Sequence, residues 1–169
     1  MNIPRTLRLA GYAILVITLF SFINCSKKTA AAHTATVTSD RSITGSNMEN
    51  DILYYVNQHR RSIGLAPLEM SGVECSVAAR HSRDMATGKA PFGHTGAPAR
   101  KQAIASQVGP LISFGENVAY GQRSAREVVD EWLHSPGHRR NIEGNFKLTG
   151  IGLARDRRGL IYYTQIFTR

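Results

Sequence analysis

The fold is organised around residues 131–142, which read EWLHSPGHRRNI. Just before them, Ser124 and Glu127 have the spacing of a capping box, so we predict a helix that begins near Ala125. Its apolar residues recur at helical spacing and include Trp132, the only tryptophan of the chain. We expect this large side chain to fix the end of the helix to the core.

The same stretch carries polar and titratable side chains at a turn. We predict that Pro136 and Gly137 end the helix, which places His138 just beyond its C-terminus. The partial negative charge of a helix C-terminus would favour the protonated imidazole there. Glu131 and Ser135 share one helical face at i,i+4 spacing. We expect any chemical function of the protein to lie here.

The N-terminus is predicted to be an export signal. Two arginines precede an apolar run at 10–24, which is too short to cross a bilayer comfortably, and Cys25 follows directly. Residues 22–25 resemble the lipobox of bacterial lipoproteins, in which the cysteine is lipidated, although Phe22 and Asn24 depart from the usual pattern. We therefore predict a signal peptide at 1–24, a flexible tether at 25–46 and one domain at 47–169. A signal anchor or ordinary secretion is the alternative.

Composition fits a single exported domain. The 169 residues include 42% hydrophobic side chains and carry a formal net charge of +9. Cleavage before Cys25 removes two arginines and no acid, which leaves +7. A basic protein is attracted to anionic lipid head groups or envelope polymers, unless the charge only keeps it soluble. Only two cysteines occur, which excludes a disulfide scaffold, and Cys75 among apolar neighbours is expected to be buried rather than reactive.

Periodicity predicts a mixed α+β chain. We predict helices at 48–62, between Ser71 and Gly88, and at 98–107, followed by a β-like segment at 114–121. Two strands at 148–154 and 160–167 are joined by a hairpin turn. The second strand is apolar or aromatic on both faces, so we expect helices to cover it on both sides.

Three further polar residues are candidates for a functional role. His94 stands in a glycine-flanked loop at 90–96. It is either a functional-site residue or an ordinary exposed loop residue. Glu116 lies between Gly115 and Asn117. It is either an acid of a functional site, or a solvent-facing strand residue or turn-capping carboxylate without such a role. His81 lies on an apolar helical stripe, which favours a hydrogen-bonded core histidine over a ligand.

Six segments, in this order, resemble the bacterial form of the CAP domain, also called the SCP domain, of the cysteine-rich secretory protein, antigen 5 and pathogenesis-related 1 family. They are residues 57–60 with 64–68, 79–85, 92–94, 115–118, 132–142 and 162–167. The resemblance implies a three-layer α-β-α sandwich with a small antiparallel sheet and a surface cleft. In eukaryotic members two histidines and two acids meet in that cleft.

The resemblance also implies candidate cleft residues. His94 matches the first histidine and Glu116 the first acid. The strand position of the second histidine is Tyr162 here, so His138 is the bacterial-type candidate. The second acid position is a serine, and Glu131, one turn earlier on the same face, is the candidate that replaces it.

Two imidazoles and one or two carboxylates would suit a divalent cation such as Zn²⁺, although the cofactor is left open. Without metal they would form an acid–base pair, but no activated nucleophile is evident. We therefore predict an envelope-anchored binding module for a cation, a lipid, an envelope polymer or a host-surface ligand, and no specific nucleic acid. The alternatives are a protease or cell-wall hydrolase, or a purely structural hydrogen-bonded cluster.

Overall fold

The computed structural model describes residues 48–169. The predicted signal peptide, the tether and the lipidation of Cys25 lie outside the described residues. The described part contains, in chain order, α1 (Met48–Ser62), β1 (Glu69–Met70), α2 (Gly72–Ala86), α3 (Ala97–Val108), β2 (Phe114–Tyr120), α4 (Ala125–His134), α5 (Pro136–Ile142), β3 (Leu148–Arg155) and β4 (Ile161–Thr168). None of these helices combines the length and apolar composition that crossing a bilayer requires.

The strands form one sheet with the order β1-β3-β4-β2. Strands β2, β3 and β4 are antiparallel, as predicted, with Glu116 opposite Ile166 and Tyr120 opposite Tyr162. Strand β1 adds a short parallel pairing to β3, so the sheet is mixed. Strand β1 was not predicted, because two residues are too few to show alternation.

Helices cover both faces of the sheet, which confirms the three-layer α+β sandwich. Helices α1, α4 and α5 pack on one face around a core that includes Trp132 and Phe167. On the other face α2 and α3 pack around a smaller cluster of Ala78, Ile104 and Ile166. Strand β4 is buried along nearly its whole length, because it has helices on both sides.

Glycines let α2 lie directly on the sheet. A Cβ atom at Gly150 would collide with the backbone of Glu74, and one at Gly152 would collide with the backbone of Ala79. Both glycines lie on β3, beneath α2. In the sequence, Gly150 and Gly152 alternate with Ile151 and Leu153. The glycines therefore face α2, and the larger side chains face the opposite layer of helices.

Strand β2 is an edge strand whose free edge is covered by side chains. The Trp132 indole donates a hydrogen bond to the Val118 carbonyl, 3.3 Å away, and the Asn141 amide donates to the Glu116 carbonyl at 3.0 Å. Covered edges prevent pairing with other chains. This arrangement brings the loop before α3 and helix α5 together at one edge of the sheet.

The predicted start and end of α4 are both confirmed, and only the predicted turn after it needs a correction. Ser124 caps α4 by accepting a hydrogen bond from the Glu127 backbone, 3.2 Å away. Pro136 does not lead into an irregular turn, because it occupies the first position of a new helix, α5. Proline is tolerated there because the first turn of a helix lacks a partner for its N–H. His138 therefore lies within α5.

Candidate functional site

His94 and Glu116 meet at the covered edge of β2. The Glu116 carboxylate is buried, the His94 ring is half exposed, and His94 Nδ1 lies 2.9 Å from Glu116 Oε1. The His94 loop turns through Gly93 and Gly96, which both adopt positive φ angles. His81 Nε2 lies 2.8 Å from the Gly93 carbonyl, so this buried histidine holds the loop, as its predicted core role implies.

Arg100 is the charged residue of this site that sequence reasoning missed. From the first turn of α3 its Nε reaches Glu116 Oε2 and its Nη2 reaches Glu116 Oε1, both at 2.6 Å. Its Nη1 also donates to the Thr95 carbonyl at 2.9 Å, which ties the His94 loop to the same guanidinium. A bidentate arginine–carboxylate pair is strong and fixes orientation. In the sequence, Arg100 looks like any basic residue on a predicted helix.

His138 completes the group from the opposite layer. Its ring centroid lies 6.4 Å from that of His94, with 57° between the ring planes. Burial lowers the pKa of His138, and the positive charge that His94 can carry lowers it further. The prediction that a helix C-terminus favours the imidazolium form of His138 is therefore wrong, because the residue lies in the first turns of α5 and is desolvated.

Two asparagines position α5 against β2. Asn117 Nδ2 donates to the His138 carbonyl at 3.1 Å, and Asn141 Nδ2 donates to Asn117 Oδ1 at 2.8 Å. Asn117 is fully buried, so these bonds also satisfy its amide. Neither residue was assigned a role from the sequence. Asn117 offered one signal, because it is a polar residue directly after Glu116 in a β-like segment.

Glu131 makes its described hydrogen bond to another part of the chain. Its carboxylate accepts a hydrogen bond from the Gln122 side chain, and the Gln122 carbonyl accepts one from the Tyr163 hydroxyl at 2.8 Å. None of the described hydrogen bonds joins Glu131 to His94, Glu116 or Arg100. Its role as the second cleft acid stays a prediction.

The hydrogen bond between His94 and Glu116 determines what His94 can do. An ionised carboxylate held by a guanidinium can only accept hydrogen bonds, so Nδ1 of His94 carries the proton. The Nε2 atom of a neutral His94 then presents a lone pair. This carboxylate–histidine relation is the one that commonly orients metal-binding imidazoles. Within residues 48–169, however, no three histidine, cysteine or acidic side chains are arranged to hold a metal ion together.

Cys75 does not contribute a nucleophile. It is half buried on α2 without a disulfide partner among the described residues. Burial raises the pKa of its thiol, and the nearby charges of Glu49 and Glu74 add to that effect. The thiol is therefore protonated at neutral pH, which agrees with the predicted structural role.

Comparison with known proteins decides the family. Residues 53–167 match the CAP family model, described as the cysteine-rich secretory protein family. The chain belongs to the CAP family. The matched range contains every segment on which the resemblance rested, and it includes His94, Arg100, Glu116 and His138.

Two curated relatives of this CAP domain come from Bacillus subtilis strain 168. The uncharacterized protein YkwD is 33% identical over 135 residues, which cover 75% of this chain and 50% of YkwD. The uncharacterized membrane protein YlbC is 33% identical over 123 residues, which cover 72% of this chain and 34% of YlbC. The CAP domain described here thus spans half or less of the length of these relatives.

Two solved structures with the same fold are described as an outer surface protein and an extracellular protein. An outer surface protein from Borrelia burgdorferi aligns with a TM-score of 0.61 at 20% identity, over 75% of this chain and 95% of that chain. An extracellular SCP-domain protein from Bacillus anthracis aligns with a TM-score of 0.56 at 27% identity, over 75% and 44% of the two chains. These likenesses support the CAP fold.

Proposed function

We propose that this CAP domain is an exported binding module whose cleft takes a divalent cation such as Zn²⁺ between His94 and His138. The observation that carries the proposal is the pairing of two imidazoles whose rings lie 6.4 Å apart at the sheet edge. The lowered pKa of His138 favours its neutral form, and the hydrogen bond to Glu116 leaves Nε2 of His94 free. Neutral imidazole is a preferred ligand of Zn²⁺.

In this proposal Glu116 supports the site without binding the cation. Arg100 engages both carboxylate oxygens, so Glu116 orients His94 and its charge is already balanced. The predicted set of His94, Glu116, His138 and Glu131 is thereby narrowed, in this proposal, to two histidine ligands and Glu116 as the orienting acid, and the role of Glu131 stays a prediction.

The small number of protein ligands to the proposed cation favours a binding role over a catalytic one. Catalytic zinc usually has three protein ligands, whereas this pair supplies two. The remaining coordination positions would be filled by water and by oxygen atoms of a bound ligand. We therefore propose cation-assisted capture of a lipid, an envelope polymer or a host-surface molecule as the function, with catalysis as the lesser alternative.

The proposed location is the cell envelope. The predicted signal at 1–24 and lipidation at Cys25 would tether the domain through residues 25–46. Two structural neighbours are described as an outer surface protein and an extracellular protein, which supports export of this chain. The positive net charge favours binding close to anionic head groups or polymers.

The cation proposal is tested by calorimetric titration of the purified full-length protein with Zn²⁺, and by the absorption spectrum of added Co²⁺. We expect micromolar binding that is lost in His94→Ala and in His138→Ala. Glu116→Gln should weaken it by about 10- to 100-fold, the usual effect of removing an orienting partner. The surface variant His134→Ala should bind normally, and normal binding by Glu131→Gln would show that this acid takes no part in the site. Binding that survives both histidine replacements would refute the cation site.

A hydrolase is the second candidate because the His94–Glu116 hydrogen bond of 2.9 Å also resembles the pairing that orients a general base. That candidate requires protease or peptidoglycan-hydrolase activity that Glu116→Gln abolishes. Activity that persists in the variant would assign the chemistry elsewhere, and inactivity of both proteins would leave the binding module.

A further inference from the structure

A second cavity lies between α2 and α3. Its volume is about 440 Å³, which falls within the range of about 300–1,000 Å³ that is typical of small-ligand sites. The residues that line it from α2 recur at intervals of three and four positions and therefore share one helical face. They are Val77, Arg80, His81 and Asp84. Neither of the two proposed cation ligands lines this cavity.

Part of the cavity is an apolar wall. Ala99 and Ala103 line it from one face of α3, and Val77 lines it from α2. Because all three side chains are short, the two helices leave open space between them. An apolar side chain of a ligand can fill this space and is then removed from water.

The α2 side of the cavity carries two opposite charges one helical turn apart. Arg80 forms no ion pair with any carboxylate within residues 48–169. Asp84 pairs with Lys89 at 3.3 Å, but the Lys89 side chain is 75% exposed, so this pair is solvated and contributes little. The cavity therefore suits a ligand that carries both a negative and a positive group.

His81 adds a hydrogen-bond acceptor between these charges in the sequence. Its Nε2 lies 2.8 Å from the Gly93 carbonyl, which can only accept, so Nε2 carries the proton of the neutral ring. Burial lowers the pKa of His81, which favours this neutral form. Nδ1 then presents a lone pair for which residues 48–169 supply no donor. His81 is only 3% exposed, and the cavity is open space that it borders.

We propose that the cavity between α2 and α3 binds a free dipeptide that has an apolar side chain, with its carboxylate on Arg80 and its ammonium group on Asp84. A guanidinium binds a carboxylate with paired hydrogen bonds, which fixes the orientation of the ligand. The peptide N–H between the two ends donates to Nδ1 of His81. The apolar side chain lies against the apolar wall.

The length of a dipeptide matches the spacing of the two charges. Two extended residues span up to about 7 Å. Arg80 and Asp84 are four positions apart on α2, which corresponds to a rise of about 6 Å along the helix axis. A single amino acid carries both of its charged groups on one carbon atom, so it is too short to bridge them.

A fatty acid fits the same cavity less well. It offers a carboxylate for Arg80 and an apolar chain for the wall. In its ionised form, however, it has no positive group for Asp84 and no hydrogen-bond donor for His81. The observations therefore favour the dipeptide.

This inference goes beyond the proposed function and requires no cation. The test is calorimetric titration of the full-length protein with alanyl-leucine in the presence of EDTA. Alanyl-leucine amide lacks the carboxylate, and N-acetyl-alanyl-leucine lacks the ammonium group. We expect each to bind about tenfold more weakly or worse than alanyl-leucine, because each lacks one charged hydrogen-bonding group.

Matched variants assign each charge of the ligand to its partner. Arg80→Gln should weaken alanyl-leucine binding by about tenfold and remove its advantage over the amide. Asp84→Asn should likewise remove the advantage over the acetylated dipeptide. Arg83→Gln removes a neighbouring exposed arginine of α2 that does not line the cavity, and this variant should bind like wild type.

A packing variant tests the apolar wall independently of charge. Ala103→Leu places a larger side chain in the cavity and should weaken alanyl-leucine binding by about tenfold or more. Gln102→Leu adds the same side chain one position away, at a residue that does not line the cavity, and should have no effect. Both positions are exposed, so neither change should prevent folding.

Other outcomes also decide the question. Absence of alanyl-leucine binding, equal binding of its amide, or tighter binding of decanoate or of leucine alone would each refute the proposal. Equal losses in Arg83→Gln or Gln102→Leu would overturn the assignment to this cavity. The dipeptide titration contains EDTA and the Zn²⁺ titration contains no dipeptide, so failure of one site is distinguishable from failure of the other.

Discussion

Replacing Arg100 by methionine tests the ion pair that holds the buried Glu116 carboxylate. Methionine keeps much of the apolar length of the side chain but removes both hydrogen bonds from the guanidinium to the Glu116 carboxylate. The side chains of Arg100 and Glu116 are 12% and 3% exposed, so water cannot replace the guanidinium freely. His94 would remain as the only side-chain partner of the carboxylate among the residues that the structure describes.

The expected loss of stability is large for one substitution. Removing one partner of a buried pair costs about 3–5 kcal/mol, and the slight exposure of Arg100 places the expected loss near the lower end, at about 3 kcal/mol. For a domain of this size that corresponds to a fall in Tm of about 10 °C. Urea unfolding followed by tryptophan fluorescence would measure it, because the single Trp132 is buried against β2.

The double variant Arg100→Met with Glu116→Gln provides the control. It removes the orphaned charge together with its partner, so we expect it to recover at least half of the lost stability. A single variant as stable as wild type would show that the pair is solvated and contributes little. A double variant no more stable than additivity predicts would show that the loss comes from packing.

Two further predictions concern packing and pH. Gly152→Ala should destabilise the domain by about 1–3 kcal/mol or prevent folding, because the new Cβ would strike the backbone of α2, whereas Gly72→Ala has open space and should be tolerated in the same urea experiment. Because burial lowers the pKa values of His81 and His138, the unfolded state binds protons more readily, and stability should rise with pH between about 5 and 7. The slope should be shallower in His138→Gln, and an unchanged slope would contradict the assigned cause.

Local sequence signals were sufficient to locate most elements. Ser71 and Ser124 immediately precede α2 and α4, as their positions in the sequence predict. Only Ser124 caps its helix with the side chain, because Ser71 Oγ donates to the Glu74 carboxylate instead. Pro136 shows where this reasoning fails. A proline can lie just after one helix or at the first position of another, and the local sequence does not distinguish the two cases. The second helix forms here with Ile142 fully buried in the core, which is a tertiary contact.

His94 and Glu116, which the structure joins by a hydrogen bond, were singled out as candidates from the chain alone, because a histidine in a glycine-flanked loop and a lone acid in a β-like segment are unusual. Their connections became visible only in the folded chain. Arg100 reaches Glu116 across 16 positions of the chain, and Asn141 reaches the Glu116 carbonyl across 25. Such pairings depend on sheet register and on how the layers pack, to which many residues contribute small energies, so no local pattern encodes them.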